Sequence, residues 1–315
     1  MLGKTASMGE QRAMDEREDT RYFGSVRFFK NLILLVVLVL IAVPSGLAVH
    51  FFRGLERTKE LLREAQEASE LAWVEDEDGE FTAESPYTDL FPDFYAPQEL
   101  DADTAEDGVV YLTFDDGPSQ RTEEILNILK EKDAKATFFV IGKEDEYSKS
   151  LMRRIVEEGH TLAMHSYTHN YKEIYASAET YLADMDRLFN LLIETTGQVP
   201  TIFRFPGGSI NAYNSGIYQD LIAEMLRRGF VPFDWNISSQ DAAGKPLAPE
   251  VLTYNVTVNA AKVSRGVVLM HDAASKTSTV KALPGIIDSL RAQGFKLKAL
   301  TPKDKPVIFP YRNAG

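Results

Sequence analysis

From Val109 onward, short apolar runs alternate with longer amphipathic stretches. The runs are VVYLTF (109–114), ATFFVI (136–141), TLAMH (161–165), TIFRF (201–205), FVPFDW (230–235), GVVLMH (266–271) and FKLKAL (295–300). Short segments rich in β-branched and aromatic residues predict strands. Between them, RTEEILNILKEK (121–132), SLMRRIVEEG (150–159), ETYLADMDRLFNLLIETTG (179–197), YQDLIAEMLRRG (218–229), PEVLTYNVTVNAAK (249–262) and TVKALPGIIDSLRAQG (279–294) predict helices. Several of these end on glycine (Gly159, Gly197, Gly229, Gly294), the residue that most readily takes a left-handed helix terminus. Strands alternating with helices predict an α/β domain over 108–302, built on a parallel sheet or a β/α barrel. In either architecture the chemistry gathers at the C-terminal strand ends.

The pattern before Val109 is different. No charged residue lies between Lys30 and Arg53, and the 22 residues NLILLVVLVLIAVPSGLAVHFF (31–52) would span about 33 Å as a helix, enough for a hydrocarbon core of roughly 30 Å. This predicts a transmembrane helix over 31–52 after an N-terminal tail, 1–30. A cleaved signal peptide is the rival, but the leader is long and no clean A-x-A site follows. Arg17, Arg21, Arg27 and Lys30 on one side balance Arg53, Arg57, Lys59 and Arg63 on the other, so charge does not set the orientation. Helix formers over 53–74 predict a stalk.

Charge changes the picture in one place. The formal net charge of -13 is matched by residues 75–107, a linker with thirteen Asp and Glu and no Lys or Arg. The rest of the chain is balanced and has no basic stripe, which argues against nucleic-acid binding. Within the linker, YTDLFPDFYAP (87–97) has too many aromatics for a solvated tether and is expected to dock on the following domain. With no cysteine, thiolate metal sites, disulfides and thiol nucleophiles are excluded. Residues 303–315 read as a C-terminal tail.

The strand ends carry the candidate chemistry. Asp115 and Asp116 follow the first, His165 and His169 the third, Arg204 the fourth, Asp234 and Trp235 the fifth, and His271 the sixth. A parallel sheet brings all of them to one edge. On a helical turn, His165 and His169 at i and i+4 would share a face. Two imidazoles with one of Asp115 or Asp116 make a set suited to a divalent ion with an open position. The other aspartate is free to accept a proton, Arg204 to pair with that base, and His271 to donate a proton to a leaving amine, with Asp234 holding the His271 ring.

At these residues the chain resembles the polysaccharide deacetylases, carbohydrate esterase family 4 with the NodB-homology domain. TFDDGP (113–118), HSYTH (165–169), RFPGG (204–208), FDWN (233–236) and LMHD (269–272) stand in the family's motif order over roughly 109–300. The resemblance implies a distorted (β/α)7 barrel. It implies Asp115 as base, Asp116, His165 and His169 as metal ligands, and Arg204 orienting the base. It further implies oxyanion stabilisation by the Gly207 N–H, Asp234 and Trp235 as the fourth motif, His271 as acid and Leu269 lining the acetyl pocket. Gly207 stands where many relatives have tyrosine, and no role attaches to the loop 236–242. The expected activity is hydrolysis of N-acetyl or O-acetyl groups on an extracellular polysaccharide with a divalent metal, zinc foremost and cobalt, manganese or nickel as alternatives. Peptidoglycan is the first candidate substrate, with chitin, xylan or exopolysaccharide behind it. A single-pass cell-membrane protein with its domain outside is expected, and a silent glycan-binding protein on the same fold is the alternative.

Overall fold

The computed structural model describes residues 73–75, 81–83, 85–97 and 104–310, and the chain divides into two units, 1–84 and 85–315. The expected tail over 1–30 and span over 31–52 lie outside the described residues, as does the stalk up to residue 72. Among the described residues no helix is long and apolar enough to cross a membrane.

In the first unit, β1 (Trp73–Glu75) and β2 (Phe81–Ala83) pair antiparallel, with Val74 opposite Thr82. The sequence predicts the end of a helix and the start of an irregular linker here. Instead, β-formers flank a segment containing Asp78-Gly79, a turn signal that favours a hairpin.

The second unit holds the α/β domain. Its strands are β3 (Val109–Asp115), β4 (Thr137–Ile141), β5 (Thr161–Ser166), β6 (Ile202–Phe203), β7 (Val231–Pro232), β8 (Ile237–Ser238), β9 (Arg265–His271) and β10 (Lys296–Lys298). All pair in parallel in the order β7-β6-β5-β4-β3-β9-β8. β10 joins β3 at Val109–Tyr111, on the stretch that β4 leaves free by pairing at Thr113–Asp115. Strands β7 and β8 form the two ends of this order and are not paired with each other, so the expected barrel is open. The helices are α1 (Gln120–Glu131), α2 (Glu146–Glu157), α3 (Tyr171–Ile174), α4 (Ala178–Thr196), α5 (Tyr218–Arg227), α6 (Pro249–Ala260) and α7 (Thr277–Ala292). Side-chain caps start the main ones: Ser119 and Ser177 form capping boxes with Thr122 and Thr180, and Asp145 accepts from Ser148 N–H.

The alternation along each strand sorts the core into two clusters. Val110, Leu112, Phe114, Phe138, Val140, Met164, Val268 and Met270 pack under the helices. Residues of the other parity, Val109, Tyr111, Phe139, Ala163, Ile202, Val231, Phe233 and Val267, fill the inside with Leu300. Continuing that inner parity toward the C-terminal ends reaches Thr113 and Asp115 on β3, His165 on β5, Arg204 after β6, and Leu269 and His271 on β9. The period of two therefore aims the polar residues at one mouth.

The aromatic part of the linker docks on this domain, as its composition predicts. Phe94 is fully buried, edge-on to Phe189 at 5.2 Å and against Phe230 at 4.7 Å. The buried Arg228 donates to the carbonyls of Tyr87 (3.0 Å), Leu90 (2.7 Å), Phe91 (3.0 Å) and Phe94 (3.2 Å), and its Nε meets Glu224 at 2.6 Å. One guanidinium thus satisfies carbonyls that a solvated tether would leave to water.

Candidate active site

Asp115 ends β3 with its side chain inward and 3% of the residue exposed. Asp116 follows in a left-handed conformation (φ 75°), which turns its carboxylate toward the same mouth. Such a backbone is costly for a residue with a Cβ and persists where the surroundings fix it. The next residue must be glycine: a Cβ on Gly117 would fall 2.1 Å from Asp272 Oδ2. Asp272 is fully buried, takes the Thr122 hydroxyl, and its N–H donates to Asp115 O at 3.0 Å.

His165 and His169 converge by a different route from the helical turn that their spacing suggests. His165 lies in β5, while His169 sits in the following loop with φ 55°. The loop is braced by the carboxylate of Asp184 on α4. It accepts from Ser166 Oγ (2.6 Å), Tyr167 N–H (2.6 Å), Thr168 N–H (2.9 Å) and Thr168 Oγ1 (2.7 Å). Ser166 Oγ in turn accepts from His169 N–H at 2.9 Å. Strand end, left-handed residue and brace do what a helix face would otherwise do.

The result is a compact donor set. One ligand atom from each of Asp116, His165 and His169 lies within 4.8 Å of the others. Asp116 Oδ1 is 3.6 Å from His165 Nε2 and 3.2 Å from His169 Nε2. His165 Nδ1 faces the Arg204 carbonyl at 2.8 Å, so donation there leaves the Nε2 lone pair pointing at the cluster. Burial and the neighbouring His165 push the His169 pKa below the ordinary imidazole value, against the pull of Asp116 and Asp115. Neutral imidazoles and a carboxylate suit a divalent cation, and three protein donors leave a position open.

Arg204 is fully buried and spends its guanidinium on four acceptors. They are Phe233 O (2.8 Å), Thr113 Oγ1 (2.7 Å), Asp115 Oδ1 (2.8 Å) and Asp234 O (3.0 Å). The expected pairing with the first aspartate is therefore present. Asp115 Oδ2 remains turned to the cluster, 4.0 Å from His165 Nε2.

Asp234 does not hold His271, which corrects the sequence expectation. Its carboxylate accepts from Ser209 N–H (2.8 Å), the Ser209 hydroxyl and Phe309 N–H (2.7 Å). The reason is topological. Asp234 follows β7 at one end of the strand order and has the opposite parity from Phe233, whereas β9 lies beside β8. The partner of His271 is Asp241, from the loop after β8: Oδ1 lies 2.8 Å from His271 Nδ1 and Oδ2 accepts His271 N–H at 2.7 Å. Thr279 Oγ1 holds the same carboxylate at 2.8 Å. Burial depresses the His271 pKa, but the bond and charge of Asp241, helped by Asp115 and Asp116, raise it above the ordinary value. Asp241 is itself held below the usual carboxylate range, chiefly by His271, in spite of its burial. Asp241 stands in NISSQDA (236–242), the loop to which the sequence assigns no role.

Gly207 (φ 79°) and Gly208 (φ 88°) form the turn after Arg204. Gly207 is exposed, and among the described residues its N–H meets no acceptor. Trp235 is half-buried and packs edge-on to Phe309 at 4.8 Å. Phe309 comes from the C-terminal tail, which returns to the site through Asp234 N–H to Val307 O (2.7 Å). Leu269 is half-buried on β9, two residues before His271 and on the same strand face.

Comparison with known proteins agrees with this arrangement. The Polysaccharide deacetylase family model matches residues 102–226. The chain is 32% identical over 284 residues to a peptidoglycan-N-acetylglucosamine deacetylase of Bacillus cereus, covering 88% of this chain and 96% of that protein. The catalytic domain of a peptidoglycan N-acetylglucosamine deacetylase from Eubacterium rectale superposes with a TM-score of 0.64 at 34% identity, over 68% of this chain and 97% of that one. A polysaccharide deacetylase from Bacillus cereus gives 0.56 at 36% identity, over 64% and 96%. With the open parallel sheet and the clustered aspartates and histidines at its mouth, these likenesses place the chain in the polysaccharide deacetylase family, the hydrolases of carbohydrate esterase family 4.

Proposed function

We propose that the chain removes acetyl groups from N-acetylated sugars of peptidoglycan, at the outer face of a membrane to which residues 31–52 tether it. The observation that carries this reading is the Asp116–His165–His169 cluster flanked by two differently supported groups, Asp115 on Arg204 and His271 on Asp241. A divalent cation bound by the three donors would supply Lewis-acid polarisation of the acetyl carbonyl and acidify a water molecule.

The protein's own groups handle the protons. Asp115, with Oδ1 occupied by Arg204, receives at Oδ2 the proton of the attacking water. The water oxygen bonds to the acetyl carbon, and the Gly207 N–H donates to the developing oxyanion. The carbon–nitrogen bond then breaks as His271, its Nδ1 fixed by Asp241, gives the proton of Nε2 to the sugar nitrogen. Acetate and a free amine result. An amide anion is too basic to leave without that proton.

The relatives named for peptidoglycan N-acetylglucosamine support the glycan, and zinc heads the candidate metals for an imidazole–carboxylate set. The test is acetate release from purified peptidoglycan, chitooligosaccharides and acetylxylan by the zinc- or cobalt-supplemented protein. Peptidoglycan is expected to be turned over best, and Asp115→Asn to lose at least about 100-fold in kcat. Wild-type protein that frees no acetate from any of the three, while binding glycan, would make it a tethered binding protein instead. Protease accessibility of the domain on intact cells tests the placement outside the membrane.

A further inference from the structure

The turn at Gly207–Gly208 is hemmed in by aromatic rings on both sides. A Cβ on Gly208 would lie 2.4 Å from Phe309 Cε2, and one on Gly207 would lie 2.9 Å from Tyr171 Cε1 and 3.3 Å from its hydroxyl. The Tyr171 phenol thus occupies the space that a side chain at 207 would claim. Its ring meets His169 edge-on at 5.3 Å and 89°, and meets Tyr213 at 5.2 Å and 64°. An aromatic row therefore leads from a donor of the metal cluster to the surface.

Tyr213 ends that row with 53% of its surface exposed. Its backbone is nevertheless pinned. Asn211 Oδ1 accepts from Tyr213 N–H (2.8 Å), and Asn211 Nδ2 donates to Pro206 O and Gly208 O (both 3.1 Å). The fully buried Asn214 accepts Asn211 N–H at 2.8 Å and donates to Ser209 O at 3.1 Å. Among the described residues the Tyr213 hydroxyl has no partner, whereas the similarly exposed Tyr147 gives its hydroxyl to Glu123 at 2.6 Å. A large exposed ring on a pinned loop beside the proposed reaction centre is a preorganised contact, because the loop entropy is already spent.

We propose that Tyr213, backed by Tyr171, is the platform on which the sugar next to the reacting one stacks, and that it sets a preference for chains over single sugars. The proposal rests on the deacetylase reading and deepens it. A β-linked pyranose with equatorial substituents turns a flat face of C–H bonds to one side and a rim of hydroxyls to the other. The face suits the Tyr213 ring, and the rim suits its unpartnered hydroxyl.

The experiment measures the dissociation constant of chitotetraose by calorimetry for wild type, Tyr213→Ala and Tyr213→Phe, with steady-state acetate release in parallel. Tyr213→Ala is expected to weaken binding and raise KM about tenfold, the size of one stacked aromatic contact, with kcat within about twofold. Tyr213→Phe should stay within about threefold of wild type. Equal affinities for wild type and Tyr213→Ala, absence of glycan binding by wild type, or a fall in kcat at constant KM would each overturn the stacking role. Wild type that binds chitotetraose through Tyr213 but frees no acetate would instead refute the catalytic reading and leave the platform standing.

Discussion

Asparagine at position 241 separates charge from shape at His271, the proposed general acid. In the wild type the Asp241 carboxylate grips His271 at Nδ1 (2.8 Å) and at the backbone N–H (2.7 Å). Burial alone would leave the imidazolium less stable than in water, and the Asp241 bond and charge more than reverse this. A hydrogen bond to a charged group contributes about 1.5–3 kcal/mol, an upper bound of about 10- to 100-fold on what the charge adds to protonation of the ring. Asp241→Asn retains the outline and can still accept at Nδ1 but removes the charge, so the His271 pKa should fall. A general acid must be protonated to work, so in the proposed mechanism the His271 pKa sets the alkaline limb of kcat/KM against pH. That limb should move to lower pH, and activity on its slope should drop by up to about 10- to 100-fold. Linkage adds a second readout. A folded-state pKa above the unfolded value gives stability that is complete below the ordinary imidazole value near 6.5 and fades as pH rises through the raised one. The gap in melting temperature between wild type and variant should therefore narrow with rising pH across that range. An unmoved alkaline limb with activity lowered equally at every pH would refute the reasoning.

Four further outcomes are expected. Chelation of divalent ions should abolish acetate release and leave the far-UV circular dichroism unchanged, because the Arg204 carbonyl, Ser166 and the Asp184 brace hold the donors without help from an ion. Asp184→Ala should weaken zinc binding about 10- to 100-fold in a calorimetric titration, since it frees the loop that aims His169. Arg228→Ala should cost about 3–5 kcal/mol in a urea titration, by leaving the buried Glu224 without Arg228 and several carbonyls unpaired. In limited proteolysis, wild type should resist cleavage between Tyr87 and Pro97, and the variant should be cut there.

The parts of the site legible in the sequence are those that follow from periodicity. The alternation of strands with helices already places Asp115 and His271 at one edge of a parallel sheet, because both close their strands and the C-terminal ends of parallel strands lie on the same side. The junction of aromatics with acid in YTDLFPDFYAP likewise announced docking. What escaped was set by neighbours distant in sequence. Asp234 seemed the partner of His271 because both end strands, but strand order, which no local pattern encodes, puts β8 and its loop beside β9. Asp241 could have been suspected from its place in an otherwise neutral polar loop, NISSQDA, near a strand end. The i, i+4 spacing of His165 and His169 was informative about the cluster yet misleading about the backbone, since a strand end with a left-handed residue spans the same gap. The Asp184 brace reads as one more polar position on an amphipathic helix.

The return of Val307–Phe309 to Asp234 has a bearing on how the centre comes into being. β3, which delivers both aspartates, is the first strand of the sheet to be synthesised, yet β9 and β10 beside it and the Phe309 clamp arrive last. Pairings between such remote stretches form slowly, because the intervening loop must close before any contact rewards it. The proposed reaction centre is thus expected to be among the latest parts of the molecule to mature, and clipping or fusing the chain just beyond residue 300 should be felt first at this mouth.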